Sequence, residues 1–562
     1  MKRLNTAPLV AFAVALTLVI GSIGPRVASP VFFPDDPVQR VPESQDASGV
    51  KEFEHSLAYD ILINTFARPG DPALDTPAAN VNTIDEVPDS SWFTNRIALT
   101  VEDVTRGPDI TDGPAPGPWT ITRSKSEGYT PGFTIRDTKN VVWFLKFDPP
   151  GYLELASGAE VVSTKLYHAA GYFVPENRIA IFHRDRLVVG ENSRIRVGGS
   201  PPRAMTSRDV DRLLRLAARG VDGSYRALAS RAVDGKPVGP FSYYGRRPDD
   251  PNDVVPHENR RELRGLRVMA AWTQHVDTKG GNSLDTLVDE GGRKRVRHHL
   301  IDLGSTLGSA GIKPRDFNEG YESIFEPGLI GRGVLGFGFV IQPWRTIPYP
   351  DYPSIGRFES EHFEPDAWVP SVRNAAFLRA RPEDLFWGAR RVMAFTDDMI
   401  RAAVHAGEYT DEAAEKYLAD VLIARRDRVG RAWLTIVNPI VEPALSATGE
   451  LTFVNAAVAA GVAKEPRGGY RAQWFRFDNA TGESVSLGES TAPMMQTTLV
   501  SRQPLPSDAG TYLRVDVNAI DPPHPSWSEP VRLYFRRWSD AWQLIGLQRG
   551  DSDTIARGDV TK

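Results

Sequence analysis

At 562 residues, with 41% hydrophobic and 24% charged side chains, the chain has the composition of a folded protein of about three to four domains, not of a disordered or polytopic membrane protein. Its 66 basic and 71 acidic residues leave a formal charge of −5, which offers no field to a polyanion, so nucleic acid is set aside as a partner. The absence of cysteine excludes disulfides, thiolate metal sites and a cysteine nucleophile.

In chain order, Lys2 and Arg3 lead into an uncharged stretch from Leu4 to Pro25 whose apolar heart is Leu9 to Ile20. That pattern predicts a signal peptide or retained signal anchor over residues 1–29. The expected location is therefore periplasmic, cell-surface or secreted, with the membrane met through the N-terminal segment only. Residues 30–60 carry Pro30, Pro34, Pro37 and Pro42 and read as an extended linker without structure of its own.

Residues 61–240 form the next expected unit. Trp119 to Thr122, Phe133 to Ile135 and Val141 to Leu145 are β-rich runs separated by Gly128, Pro131, Gly132 and the Asp137 to Asn140 turn, which predicts an antiparallel sheet. Ser157 to Tyr172 has helical spacing, with Ala159, Val162 and Leu166 on one face and Gly171 at its end. Further helices are expected over about Thr206 to Arg219 and His257 to His275, with a strand from Tyr225 to Val233 between them.

Residues 241–438 read as a helical unit, with later helices near 382–406 and 410–434. The second of these has Thr410, Asp411 and Glu412 at its start and several arginines late, the polarity that a helix dipole favours. Beyond Pro439 the pattern shifts to short alternating segments: Tyr470 to Phe477, Gln496 to Val500, Tyr512 to Val517 and Val531 to Phe535. They predict a small β-sandwich over 439–548, before a tail at 549–562.

One segment concentrates chemistry. His275-Val276-Asp277-Thr278-Lys279-Gly280-Gly281-Asn282 reads H-x-D-x-K-x-x-N. Phosphoryl transfer needs an acid to orient the acceptor hydroxyl, a cation near the moving phosphate and an oxygen ligand for a divalent metal, and Asp277, Lys279 and Asn282 supply these within one loop. Downstream, His299-Leu300-Ile301 runs into Asp302-Leu303-Gly304, which sets a carboxylate at a strand end as the metal ligand.

On these residues the chain resembles the protein-kinase-like superfamily, whose catalytic loop and metal motif align with His275, Asp277 and Asn282 and with Asp302-Leu303-Gly304. The resemblance covers roughly residues 118–435. It implies an α+β fold: a two-lobed kinase-like body with a mixed β N-terminal lobe and a helical C-terminal lobe, the β-sandwich following. It also implies that Lys146, ending a strand, holds nucleotide phosphates and that Glu160 on the next helix pairs with it. Gly128 and Gly132 stand where a phosphate-covering turn belongs. Mg²⁺ or Mn²⁺ with ATP or another nucleotide is the implied cofactor, and a protein, glycan or lipid hydroxyl the implied acceptor. The chain lacks G-x-G-x-x-G and has Val276 where arginine is usual, so the likeness is to atypical members: HipA-like, lipid-kinase-like and secretory-pathway-kinase-like proteins.

Two other readings stay open from sequence. One is a non-catalytic kinase-like envelope protein whose β-sandwich binds a ligand. The other is a metal-dependent hydrolase using His275, Asp277, His299 and Asp302. Arg260, Arg261, Arg264 and Arg267 form a basic stripe read as a solvated or salt-bridged face. His298 and His299, adjacent on a strand, are read as structural because they point to opposite faces.

Overall fold

A computed structural model describes residues 29–53, 56–67, 69, 75–96, 99–124, 131–196, 201–325 and 342–550. Residues 1–28, with the expected export segment, Gly128 and the tail from 551 lie outside them. Among the described residues no helix is long and apolar enough to cross a membrane. The chain is a mixed α+β protein built on four sheets among the described residues.

Two short helices come first, α1 (Leu57–Leu62), which continues as a π-helical turn over Ile63–Ala67, and α2 (Val101–Arg106). The first sheet comprises β1 (Trp119–Ser124), β2 (Gly132–Arg136), β3 (Val142–Phe147), β4 (Asn177–Phe182), β5 (Leu187–Ile195), β6 (Arg203–Ala204) and β7 (Tyr225–Arg231). Their order is β4-β7-β3-β2-β1-β5-β6, antiparallel except where β1 meets β5. Alternation along β3 sends Trp143, Leu145 and Phe147 into a core with Ile121, Ile135 and Phe182, so Lys146 points to the opposite face. Helix α3 (Leu155–Ala170) lies between β3 and β4 in sequence and ends at Gly171, whose φ of 120° suits glycine. Helix α4 (Ser207–Leu214) starts on a Thr206–Asp209 capping box and adds Val210 and Leu214 to the same core. It stops five residues before the Arg219 expected from its apolar spacing.

After β7 the chain passes through β8 (Lys236–Gly239), α5 (Arg261–Thr273), β9 (Ser283–Glu290) and β10 (Arg293–Leu300), the strands pairing antiparallel in the order β10-β9-β8. The helix expected from His257 is a 3₁₀ turn, His257–Asn259, followed by α5, because Arg260 takes an extended conformation. Helices α6 (Ala375–Leu378), α7 (Pro382–Met393), α8 (Asp397–His405) and α9 (Glu412–Trp433) follow. The single helix expected near 382–406 is two, since the Thr396 side chain accepts from Met399 N and starts α8.

Beyond α9, β11 (Ile440–Leu445), β12 (Glu450–Asn455) and β15 (Thr498–Val500) form one sheet, with helix α10 (Ala456–Ala459) after β12. A second contains β13 (Tyr470–Phe477), β14 (Ser484–Ala492), β16 (Tyr512–Ala519), β17 (Val531–Trp538) and β18 (Ala541–Arg549), in the order β14-β13-β16-β17-β18. Inward residues of both sheets, among them Leu451, Phe453, Trp474 and Val515, share one continuous core with Trp433 of α9 and Trp272 of α5. Asn438 fastens the junction by donating to the carbonyls of Val517, Trp527 and Glu529.

Residues 30–53 are extended, as their prolines require, but they are not a free linker. Phe32 is 1% exposed and packs with Phe477, Tyr534 and Ile545, while Ala47 and Val50 pack with Val238 and Val296. Backbone bonds from Val31 N to Asn479 O and from Phe53 N to Val238 O fix the two ends. Proline content announced an extended path; the few apolar residues along it give that path a docking surface.

Candidate functional site

The sheet places Lys146 against α3. Its Nζ lies 3.0 and 3.1 Å from the two Glu160 carboxylate oxygens and 2.7 Å from Asp302 Oδ1, joining residues 156 apart in sequence. Glu160 is buried, with 4% of its side chain exposed, whereas Lys146 shows 22% and Asp302 48%. Burial opposes the ammonium charge, but the Asp302 and Glu160 carboxylates outweigh it and hold Lys146 protonated well above the usual lysine range. Gly132 pairs across the sheet with Lys146, so no side chain from that position competes with the lysine.

Asp302 follows β10 with φ 58°, a conformation few non-glycine residues adopt, and it turns the chain sharply out of the sheet. The turn is held from behind: Leu303 is buried, Thr306 Oγ1 donates to Leu303 O at 2.8 Å, and Thr306 shares a 2.7 Å hydroxyl contact with Ser163 of α3. Gly304 is small for a reason, because a Cβ there would stand 3.0 Å from Glu160 Oε2. The three residues of Asp302-Leu303-Gly304 therefore divide the work, Asp302 putting charge in the cleft, Leu303 anchoring the turn in the core and Gly304 leaving room for the glutamate.

The 275–282 loop begins where Gln274 leaves α5 in the left-handed conformation, φ 57°. His275 is buried; its backbone N donates to Ala270 O, and its Nδ1 is 3.3 Å from the Tyr167 hydroxyl of α3. Burial pushes this imidazole down to about 4, so it is neutral at pH 7 and acts as a packing post under the loop. Asp277 takes Lys279 Nζ at 2.6 and 2.9 Å and Asn282 Nδ2 at 2.9 Å, and Asn282 also donates to its backbone carbonyl at 2.8 Å. Ile301 N donates to Asn282 O at 3.0 Å, which ties this loop to the Asp302 turn.

Two cavities open here. One is lined by Lys146, Glu160, Leu228, Asp302, Gly304 and Ser305. The other, the roomier of the two, is lined by Asp277, Ser305, Asp316, Glu319, Glu322 and Ile324. Ser305 borders both, so the lysine cleft and the aspartate cavity are neighbours. Among the expected residues the structure gathers Lys146, Glu160 and Asp302 around the first cavity and groups Asp277, Lys279 and Asn282 within their loop. Gly128 lies outside the described residues. Ser305 and the acidic wall Asp316, Glu319 and Glu322 escaped the sequence reading; the run Asp302-Leu303-Gly304-Ser305 was the available signal for the first, and nothing in local spacing marks the wall.

The donor set suits Mg²⁺ or Mn²⁺ bound together with phosphate. Such ions take one or two protein carboxylates and complete their shell with phosphate oxygens and water, and the cleft-lining Asp302 carboxylate is one such ligand, while the Asn282 side chain is engaged with Asp277. Among the described residues no group of three or more His, Asp or Glu converges to hold a metal by protein ligands alone. His299 points its Nδ1 to Leu284 O at 3.2 Å, and His298 pairs with Asp285 and stacks on Trp92 at 3.5 Å, so this pair builds the β9–β10 hairpin. The basic stripe is interior: Arg261 and Arg264 pair with Asp384, and Arg260 with Asp253. No protein-family profile, curated protein or solved structure matches the chain.

Proposed function

We propose that the chain is an exported, atypical kinase-like phosphotransferase that moves a nucleotide phosphoryl group to a hydroxyl of a protein, glycan or lipid. In this reading the first sheet with α3 is the N-terminal lobe, α5 to α9 belong to the C-terminal lobe, and the lysine cleft between them takes the nucleotide. The observation that carries it is the meeting of Lys146, Glu160 and Asp302 within 2.7 to 3.1 Å, beside the cavity that Asp277 lines.

The roles follow from charge and position. Glu160, buried and immobile, fixes Lys146, whose ammonium neutralises phosphate oxygens. Asp302, with Asn282 from the neighbouring loop, would hold the divalent ion, which would supply charge neutralisation at the phosphates. Asp277 orients the acceptor hydroxyl and takes its proton, while Lys279 adds positive charge beside the path of the phosphoryl group. The neutral, buried His275 keeps the loop seated.

The test is nucleotide turnover by purified full-length protein with Mg²⁺ or Mn²⁺, with and without an extract of envelope material as acceptor. Asp277→Asn keeps the shape and removes the base, so turnover should fall by about 10²–10⁴-fold with nucleotide binding retained. Turnover untouched by that substitution would reject the reading.

A further inference from the structure

The helix beside the 275–282 loop is inside out. Asp60 and Asn64 are 2% and 5% exposed, joined by Asn64 Nδ2 donating to the Asp60 carbonyl at 2.8 Å and to its carboxylate at 3.0 Å. Tyr59, Leu62 and Phe66 on the outer side are 61%, 53% and 64% exposed. A water-facing helix is ordinarily arranged the other way, and exposed apolar groups that cluster mark an interaction site.

This surface continues to the aspartate cavity. The Phe66 ring lies 5.3 Å from that of Phe325, and the preceding Ile324, 70% exposed, lines the cavity together with Asp277. Helix α1 also packs on the Gly280–Asn282 turn of the loop itself. An acceptor reaching Asp277 therefore passes along an apolar surface and ends among Asp316, Glu319 and Glu322; Lys313 pairs with Asp316, and the remaining carboxylates favour a neutral polyol or a cationic head over an anionic one.

Building on the phosphotransferase reading, we propose that the acceptor is a lipid with a hydroxyl-bearing, non-anionic head. Its hydrocarbon chain lies on Tyr59, Leu62, Phe66, Ile324 and Phe325, and its hydroxyl meets Asp277. In the transfer the lipid O–H gives its proton to the Asp277 carboxylate, a new O–P bond forms to the terminal phosphorus of the nucleotide, and the bond to the nucleoside diphosphate breaks. The expected anchor at Leu9 to Ile20 would keep the body at a bilayer, where such lipids reside.

The full chain in neutral detergent can be irradiated with a diacylglycerol bearing a diazirine in its acyl chain, and the labelled peptides mapped. Labelling of the peptides that hold Tyr59 to Phe66 and Ile324-Phe325 is expected. The double substitution Leu62→Glu, Phe66→Glu should reduce it by about a hundredfold, each of the two apolar side chains lost from the contact being worth about tenfold. The rise in melting temperature with ATP and Mg²⁺ should survive, since neither residue lines the lysine cleft. Label confined to residues 1–28, or a surface shielded because two copies or another protein cover it, overturns the lipid acceptor. A nucleotide-dependent rise without label sinks this inference alone. Label without any such rise sinks the phosphotransferase reading, and the acceptor role with it.

Discussion

Around α5, Arg264 and Asp384 stand 3.1 Å apart with 0% and 1% of their side chains exposed; across the cleft, Lys146 and Asp302 stand 2.7 Å apart with 22% and 48% exposed. Both are cation–carboxylate networks assembled from distant segments. The first is closed: Asp384 also takes Arg261 at 2.9 Å, Arg261 reaches Asp85, and Arg264 donates to the carbonyls of Glu258 and Thr76. The second is buried at Glu160 and reaches solvent at Asp302, which lines a cavity. A network satisfied on every side holds parts together, whereas one whose carboxylate remains accessible can exchange its partner for a ligand.

The comparison breaks most visibly at Asp384. Asp384→Ala takes the paired carboxylate from buried Arg264 and leaves Arg261 to Asp85, and urea unfolding should show a loss of about 3–5 kcal/mol. Nucleotide binding by the fraction that remains folded should be unchanged. A cost under about 1 kcal/mol would mean that the buried network is no more structural than the open one.

A pH titration sharpens the same contrast from the histidines. His299, buried and further disfavoured by Arg297, is held down to about 4 despite its bond to the Leu284 carbonyl. Its folded value lies below the unfolded value near 6.5, so between these limits the unfolded chain binds more protons. Stability is full above about pH 6.5 and declines as the pH falls toward about 4, by up to a few kcal/mol, with His275 acting in the same direction. Melting temperatures across this window should fall, and His299→Gln should flatten part of the slope.

The smallest effect belongs to an exposed pair. Lys416 and Asp420 stand 2.5 Å apart on α9 with 72% and 42% exposure, and Lys416→Ala should cost less than about 0.5 kcal/mol in urea unfolding.

What was legible in the sequence follows from the range of the physics involved. The 275–282 loop and Asp302-Leu303-Gly304 are short, and their chemistry is carried by residue types at fixed spacing. Lys146 and Glu160 stand out only through the kinase-like resemblance, by their order along a strand and the helix after it, and the structure pairs them. The arginines of α5 were legible only as a solvated or salt-bridged face; that it is the salt-bridged one, and buried, depends on Asp384, 123 residues from Arg261, which no local pattern reveals. Residues 30–53 misled for the same reason: Phe32 finds its pocket among Phe477, Tyr534 and Ile545. The break between α7 and α8 is readable in Thr396-Asp397-Asp398, a cap followed by acids, which outweighs the longer apolar rhythm. The inside-out face of α1 is not, because Asn64 Nδ2 reaches the Asp60 carboxylate only once the helix exists.

The most direct test of the central claim is the melting temperature of the full-length protein with ATP and Mg²⁺ or Mn²⁺, beside the Asp302→Asn variant. A ligand that binds only the folded chain must raise it. The account predicts a metal-dependent rise that the variant loses while keeping its unliganded melting temperature within a few degrees, because Asp302 is the exposed end of its network. No rise with any nucleotide and metal, or an equal rise in the variant, would contradict it.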